Sequence, residues 1–293
     1  MRRVRNVLCA VDLSAISTRE IEVATEVCAV LDTRLVVVHH REDLAPSRVT
    51  PWEWWVGCHR DGGVPDAAER RLADVLKTVD GRVAVEAVLT SGALTAVVGH
   101  LVTALPADLL LLGSHGASTA NHDSFAERTI TRSTTAVLVI HDDDVNGTPL
   151  RLRRKSEEPL PVVVVPLDFT ASSTAAIEWA LTFARAVPLD LHLLHVLPTV
   201  ATLARAAITG RTPADFVDLA LARLHALLPG DFAGRSTCSA EWGDPGAVIT
   251  AYADRIGPDL MVMGQHMGGL VMRDTTHALL HRAWCPLLVA PPH

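Results

Sequence analysis

Short apolar runs broken by polar turns recur along the chain, separated by segments whose apolar residues return every three or four positions. Val7-Leu8-Cys9-Ala10-Val11 stops at Asp12-Leu13-Ser14, which reads as a buried strand ending in a turn. Ile21, Ala24, Val27, Cys28 and Leu31 then follow at helical spacing. Ser17 and Thr18 offer an N-cap for that helix, and Glu20 and Glu22 suit its first-turn dipole. Residues 35–39 form the next strand. Strand, helix and strand with short links make a βαβ unit, which is right-handed almost without exception. The pattern next predicts a helix over 66–79, with Leu72, Val75, Leu76 and Val79 on one face, and a strand over 83–89. It continues with a helix over 93–105, a strand over 108–112, a short helix over 126–133 and a last strand over 137–140.

The fourth strand is the most telling. Four leucines between Asp108 and Gly113 read as a strand buried on both faces, as in a parallel sheet. The loop Gly113-Ser114-His115-Gly116 sits where that strand ends, and in an open α/β sheet ligands bind there. Pro258-Asp259-Leu260-Met261-Val262-Met263-Gly264-Gln265-His266 has the same shape.

Two stretches break the rhythm. Residues 40–65 are irregular and carry Trp52, Trp54 and Trp55; they read as a loop folded back over an apolar face, with an exposed anchor for a partner as the alternative. From His141 to Pro159 charge of both signs surrounds Gly147 and Pro149 without periodicity, which predicts a solvated linker.

Beyond that linker the chain replays itself. An offset of 156 residues matches Asp12 with Asp168, Ser17 with Ser173, Ile21 with Ile177, Leu35 with Leu191 and His39 with His195. Later an offset of 151 matches Gly92 with Gly243, Asp108 with Asp259, Gly113 with Gly264 and His115 with His266. Identities in step with element boundaries mark a tandem duplication of one α/β domain. The expected division is 1–141, a charged linker over 142–159, and 160–293.

Composition narrows the function. The 293 residues suffice for two sizeable cores, and a net charge of −7 without a long basic stripe argues against a general nucleic-acid binder. The five cysteines form no C-x-x-C pair, as befits a reducing compartment. The apolar run after the basic N-terminus is broken at Asp12, too short for a signal or a membrane span, so the expected location is the cytoplasm.

Taken together, Val11-Asp12-Leu13-Ser14, Gly113-Ser114-His115-Gly116 and Glu127-Arg128-Thr129-Ile130 in the first repeat resemble the universal stress protein family in its tandem two-domain form. In the second repeat Val165-Pro166-Leu167-Asp168, Gly243-Asp244-Pro245, Gly264-Gln265-His266 and Cys285-Pro286-Leu287-Leu288-Val289 carry the same likeness. The resemblance implies two Rossmann-like domains of the adenine-nucleotide alpha-hydrolase type, each a five-stranded, mainly parallel sheet with helices on both faces. It also implies a site. ATP-binding members hold adenine near an Asp after strand one and cradle ribose and phosphates on G-x2-G-x9-G-(S/T). Such a cradle works because glycines let backbone N–H groups approach an anion beside a helix N-terminus.

The residues this places toward a nucleotide are Asp12, Gly113, Ser114, Gly116 and Ser124, then Asp168, Gly264 and Gly268. Both copies of the signature are damaged. In the first, Gly113 and Gly116 fit, but Asp123-Ser124 stands for Gly-Ser after six intervening residues, and a carboxylate there repels phosphate. In the second, Met267 replaces the next glycine, Gly268 falls one residue late, and Arg273-Asp274 replaces Gly-Ser.

Other chemistry is sparse. His277 and His281 share a helix face but lack the Glu of a zinc-protease pattern, and His192 and His195, three apart on a strand, point to opposite faces. His115 and His266 occupy equivalent loop positions where titration near neutral pH would tune an anion contact. Cys285 reads as packing, and neither a G-x-S-x-G elbow nor a P-loop is present. The expectation is a non-catalytic stress-response regulator acting by protein association. Its repeats form an internal pseudo-dimer through the last strands at 137–140 and 287–290, with a further homodimer as an option. The alternative is an ATP-binding switch, at most a slow hydrolase, with the nucleotide held mainly by the first repeat.

Overall fold

The computed structural model describes residues 4–13, 17–41, 53–55, 67–77, 79, 81–91, 107–114, 125–141, 150–230, 232, 235–265, 279–280 and 285–292. The chain divides into two compact units, with the break between Arg151 and Leu152.

The first unit opens with β1 (Asn6–Val11), α1 (Ser17–Leu31) and β2 (Arg34–Arg41). It continues with β3 (Glu53–Trp55), α2 (Ala67–Leu76), β4 (Val85–Ser91), β5 (Leu109–Gly113), α3 (Phe125–Arg132) and β6 (Ala136–Ile140). The strands stand in the order β3-β4-β2-β1-β5-β6. All neighbours are parallel except β3, which runs antiparallel to β4 with Trp54 opposite Val88. The tryptophan stretch is therefore not wholly irregular: three of its residues add a sixth strand to the expected five. The helix expected over 93–105 lies outside the described residues.

The second unit holds β7 (Val162–Pro166), α4 (Ala171–Ala186), β8 (Asp190–Leu197), α5 (Thr199–Thr209) and α6 (Pro213–Ala226). β9 (Arg235–Trp242), α7 (Pro245–Ile256), β10 (Leu260–Gly264) and β11 (Leu287–Ala290) complete it. Its five strands are all parallel, in the order β9-β8-β7-β10-β11. The central strands are apolar because both their faces are covered: Leu109, Leu110, Leu111 and Leu112 are all buried, as are Leu260, Met261, Val262 and Met263.

Local chemistry sets the helix ends. α4 starts on Thr170, whose hydroxyl accepts from the Ser173 amide, and stops at Val187, ahead of Pro188. α6 starts on a reciprocal Thr212–Asp215 capping box with Pro213 behind it. α7 starts on Asp244 with Pro245 and ends on left-handed Gly257. α5 fills the sequence interval that in the first unit holds the tryptophan stretch, and α6, directly before β9, takes the place that α2 has before β4.

The charged segment after β6 departs from a solvated linker at its described end. Leu150 and Leu152 are buried, and Arg154 forms an ion pair with Asp259. Arg151 stands between these two leucines and Arg153, Arg154 and Lys155 follow them, so the sequence pattern is dominated by charge. Among the described residues, no helix is long and apolar enough to cross a membrane.

Both units secure the start of their sheet in the same way. Asp108 accepts from the amides of Arg5 (2.7 Å) and Asn6 (3.3 Å), and Asp259 accepts from the Val162 amide (2.8 Å). Each aspartate's own amide returns a bond to the neighbouring strand, to Asn6 O (3.0 Å) and Val162 O (2.9 Å). The acidic residue ahead of each apolar strand thus closes the amino end of the sheet. The loop after the strand stands at the opposite end.

Candidate functional site

Starting from β1, the first sheet runs to β2 and β4 on one side and to β5 and β6 on the other; β7 is the corresponding pivot of the second. Connections leave such a pivot in opposite directions, which opens a crevice at the carboxyl ends of the strands. Asp12 follows β1 and Gly113 ends β5; Asp168 follows β7 and Gly264 ends β10. The structure therefore brings together the two halves of each expected site, residues about a hundred positions apart in sequence.

Three features of these crevices recur in both units. Leu13 (φ 59°) and Phe169 (φ 63°) occupy the left-handed region directly after the aspartates. That conformation is costly for bulky residues and is held only by surrounding contacts. One such contact is a histidine on the second strand. His39 Nδ1 lies 2.9 Å from Val11 O, and His195 Nδ1 lies 2.7 Å from Leu167 O. A carbonyl only accepts, so Nδ1 carries the proton in each case. Finally, the amide after each loop glycine bonds to the last strand, Ser114 N to Ile140 O (2.7 Å) and Gln265 N to Ala290 O (2.6 Å).

The aspartates face their own helix starts. Asp168 Oδ1 accepts from the Thr170 amide (3.0 Å) and hydroxyl (2.6 Å), fixing the residue that caps α4. Asp12 Oδ1 accepts from the buried Ser17 hydroxyl (3.2 Å) at the start of α1. Asp12 is exposed and Asp168 half-buried. Next to Asp168, the Phe169 ring packs at a tilt against His195 (4.5 Å between centroids), and the Arg223 guanidinium of α6 stands 3.8 Å from the same ring. Burial pushes His195 below its ordinary value. The Leu167 carbonyl opposes that shift, Arg223 adds to it, and Asp168 opposes it.

Gly264 has a packing reason to be glycine. A Cβ there would overlap the Ser172 carbonyl group and stand 2.7 Å from the Ser172 Cβ. The end of β10 thus touches the first turn of α4 directly, and this contact needs no ligand to explain the residue.

Gly116, Ser124 and Gly268 lie outside the described residues, as do His115, Asp123, His266, Met267, Arg273, Asp274, His277 and His281. Sequence reading placed Asp12, Asp168, Gly113, Ser114 and Gly264. It paired His39 with His195 but gave them no role, and it missed Phe169, Thr170 and Arg223. The shared offset of the histidines was the available signal.

Cys9, Cys28, Cys238 and Cys285 form no disulfide. Burial pushes the Cys9 thiol well up, Cys28 up to about 12 and Cys238 upward, so these three stay protonated at neutral pH. Among the described residues, no group of three His, Cys, Asp or Glu side chains could hold a metal ion.

A structural role for these site residues predicts stability losses without any nucleotide. Gly264→Ala should lower the unfolding free energy of the second unit by about 1–3 kcal/mol through overpacking. Asp168→Ala should cost about 1–2 kcal/mol through lost capping bonds, and Asp168→Asn, which keeps an acceptor, clearly less. Urea denaturation of the nucleotide-free chain measures all three.

Comparison with known proteins agrees with the duplicated architecture. Among curated proteins no match is found. Among solved structures, a universal stress protein from Archaeoglobus fulgidus DSM 4304 superposes with a TM-score of 0.66 at 19% identity, covering 100% of both chains. A functionally unknown protein from Pseudomonas aeruginosa PAO1 gives a TM-score of 0.61 at 13% identity, covering 99% of this chain and 93% of that one. A putative universal stress protein from Pseudomonas aeruginosa UCBPP-PA14 gives 0.58 at 13%, covering 99% and 94%. At these identities the likeness is one of fold. The sequence model of the Universal stress protein family matches residues 3–141 and again 161–291, once per repeat, and the chain belongs to that family.

Proposed function

We propose that the chain is a non-catalytic stress-response regulator of the cytoplasm, acting by association with a protein partner, with degenerate nucleotide sites in both repeats. The observation that carries this reading is the occupation of the second crevice by the fold's own contacts. Asp168 accepts from Thr170, the residue that caps α4, Gly264 is packed against Ser172, and Phe169 contacts both His195 and Arg223. The shortened loops and missing Gly-Ser pairs support it from the sequence side.

A second reading, an ATP-binding switch in the first repeat, draws on the intact spacing of Gly113 and Gly116 and on the exposed Asp12 across the crevice from Gly113. Calorimetric titration of the full chain with Mg-ATP separates the two. The preferred reading predicts no saturable heat up to millimolar ligand. Micromolar binding that is lost on Gly113→Val would establish the switch instead.

We further infer that the repeats associate as an internal pseudo-dimer through their apolar last strands, Ala136–Ile140 and Leu287–Ala290. Small-angle scattering of the full chain should then fit a single rigid particle. A profile that requires two independently moving domains would contradict it.

A further inference from the structure

One face of β8 in the second unit carries a buried polar chain. The even-numbered residues of β8 face α7, because successive residues of a strand point to opposite sides. On that face His192 Nδ1 lies 2.9 Å from the Tyr252 hydroxyl of α7, and His192 Nε2 lies 3.6 Å from Asp190 Oδ1. The Tyr252 hydroxyl lies 3.3 Å from Ser239 Oγ of β9. Asp190, His192 and Tyr252 are all buried.

Charged and polar groups meet this chain from each element around it. Arg235 of β9 donates to Asp190 through Nε (3.1 Å) and through its terminal nitrogen. Thr237 of β9 is the register partner of His192, and on the β7 side the partner is apolar Val164. On α7, Arg255 stands 4.8 Å from the Tyr252 ring and donates to Glu241 of β9 (2.7 Å).

The repeat offsets supply an internal control. His192, Ser239 and Tyr252 correspond to Val36, Val88 and Leu101 in the first half, and Asp190 corresponds to Arg34. Val36 and Val88 are both buried on their sheet. The positions of His192 and Ser239 are thus buried and apolar in the first copy, whereas in the second they carry a titratable and a polar side chain.

The direction of each bond follows from donor inventory. The Asp190 carboxylate, 3.6 Å from Nε2 and so an electrostatic neighbour rather than a hydrogen-bond partner, favours the tautomer with the proton on Nε2; neutral His192 then receives the Tyr252 hydrogen at Nδ1, and Ser239 donates to Tyr252. A proton added at Nδ1 turns that atom from acceptor to donor. The Tyr252 hydroxyl must then rotate and donate to Ser239. At the same time a cation sits in a buried seat, competing with Arg235 for Asp190. We propose that this is a pH switch confined to the second repeat: protonation of His192 reverses the Asp190–His192–Tyr252–Ser239 chain and loosens α7 from the sheet.

Burial holds His192 below its ordinary value, with Asp190 opposing the shift and Arg235 adding to it. An unfolded or locally opened histidine takes a proton near pH 6.5. The stability held above that pH is therefore lost as pH falls through the lower native value. Acidification is the signal this device reads.

Hydrogen exchange of the full chain at pH 7.5, 6.5 and 5.5, corrected for intrinsic rates, tests it. Peptides over 245–256 should exchange faster on acidification, about tenfold for each unit by which the native value lies below the open one. Peptides over 94–105, the counterpart in the first repeat, should not respond. His192→Gln keeps a polar partner for Tyr252 but cannot titrate, and should abolish the response. Should that variant not fold, ring NMR of wild-type His192 decides: its titration midpoint must mark the pH at which the acceleration of exchange, begun near pH 6.5, levels off. A flat wild-type profile, a response unchanged in His192→Gln, or a His192 ring that titrates without any change over 245–256 would each overturn the proposal.

Discussion

Parallel strands covered on both faces leave no solvated side on which to dispose of polar backbone, so the loops at their ends must satisfy it. That constraint shapes both repeats. At the amino ends, Asp108 and Asp259 take the first amides of the neighbouring strand. At the carboxyl ends, His39 and His195 hold the carbonyl ahead of each aspartate, and the amides of Ser114 and Gln265 reach the last strand. Repetition of each bond at matching offsets, in sequences otherwise much diverged, marks these as conditions of the fold.

Residues expected at the crevice of the second repeat already have work in the fold. Asp168 accepts two bonds that fix the cap of α4, and Gly264 lets β10 touch that helix. Neither role depends on a nucleotide. The left-handed backbone of Leu13 and Phe169 fits the same account: the strain is held in place by the histidine contact and, in the second repeat, by packing against His195 and Arg223.

Much of this was legible in the sequence because burial writes a strong pattern. Apolar runs located the central strands within a residue or two, helical periodicity located α1 and α2, and the offsets exposed the duplication. What stayed hidden depends on partners distant in the chain. β3 is three residues of mixed character whose strand geometry comes from pairing with β4, and α5 buries little of its surface, so its periodicity says little. Leu150 and Leu152 were obscured by flanking charges. The contact of Tyr252 with His192 spans sixty residues and follows from neither residue's neighbours. At the crevice, the aspartates and glycines could be placed by position, but not the fact that they already have structural partners.

We propose that the crevices serve the fold and do not retain a nucleotide. The most direct measurement is the nucleotide content of the full chain purified from cells without added ligand, released by acid and quantified by mass spectrometry. The account predicts far less than one adenine nucleotide per chain, at the level of an unrelated control protein. One equivalent or more of ATP, ADP or AMP carried through purification would contradict it.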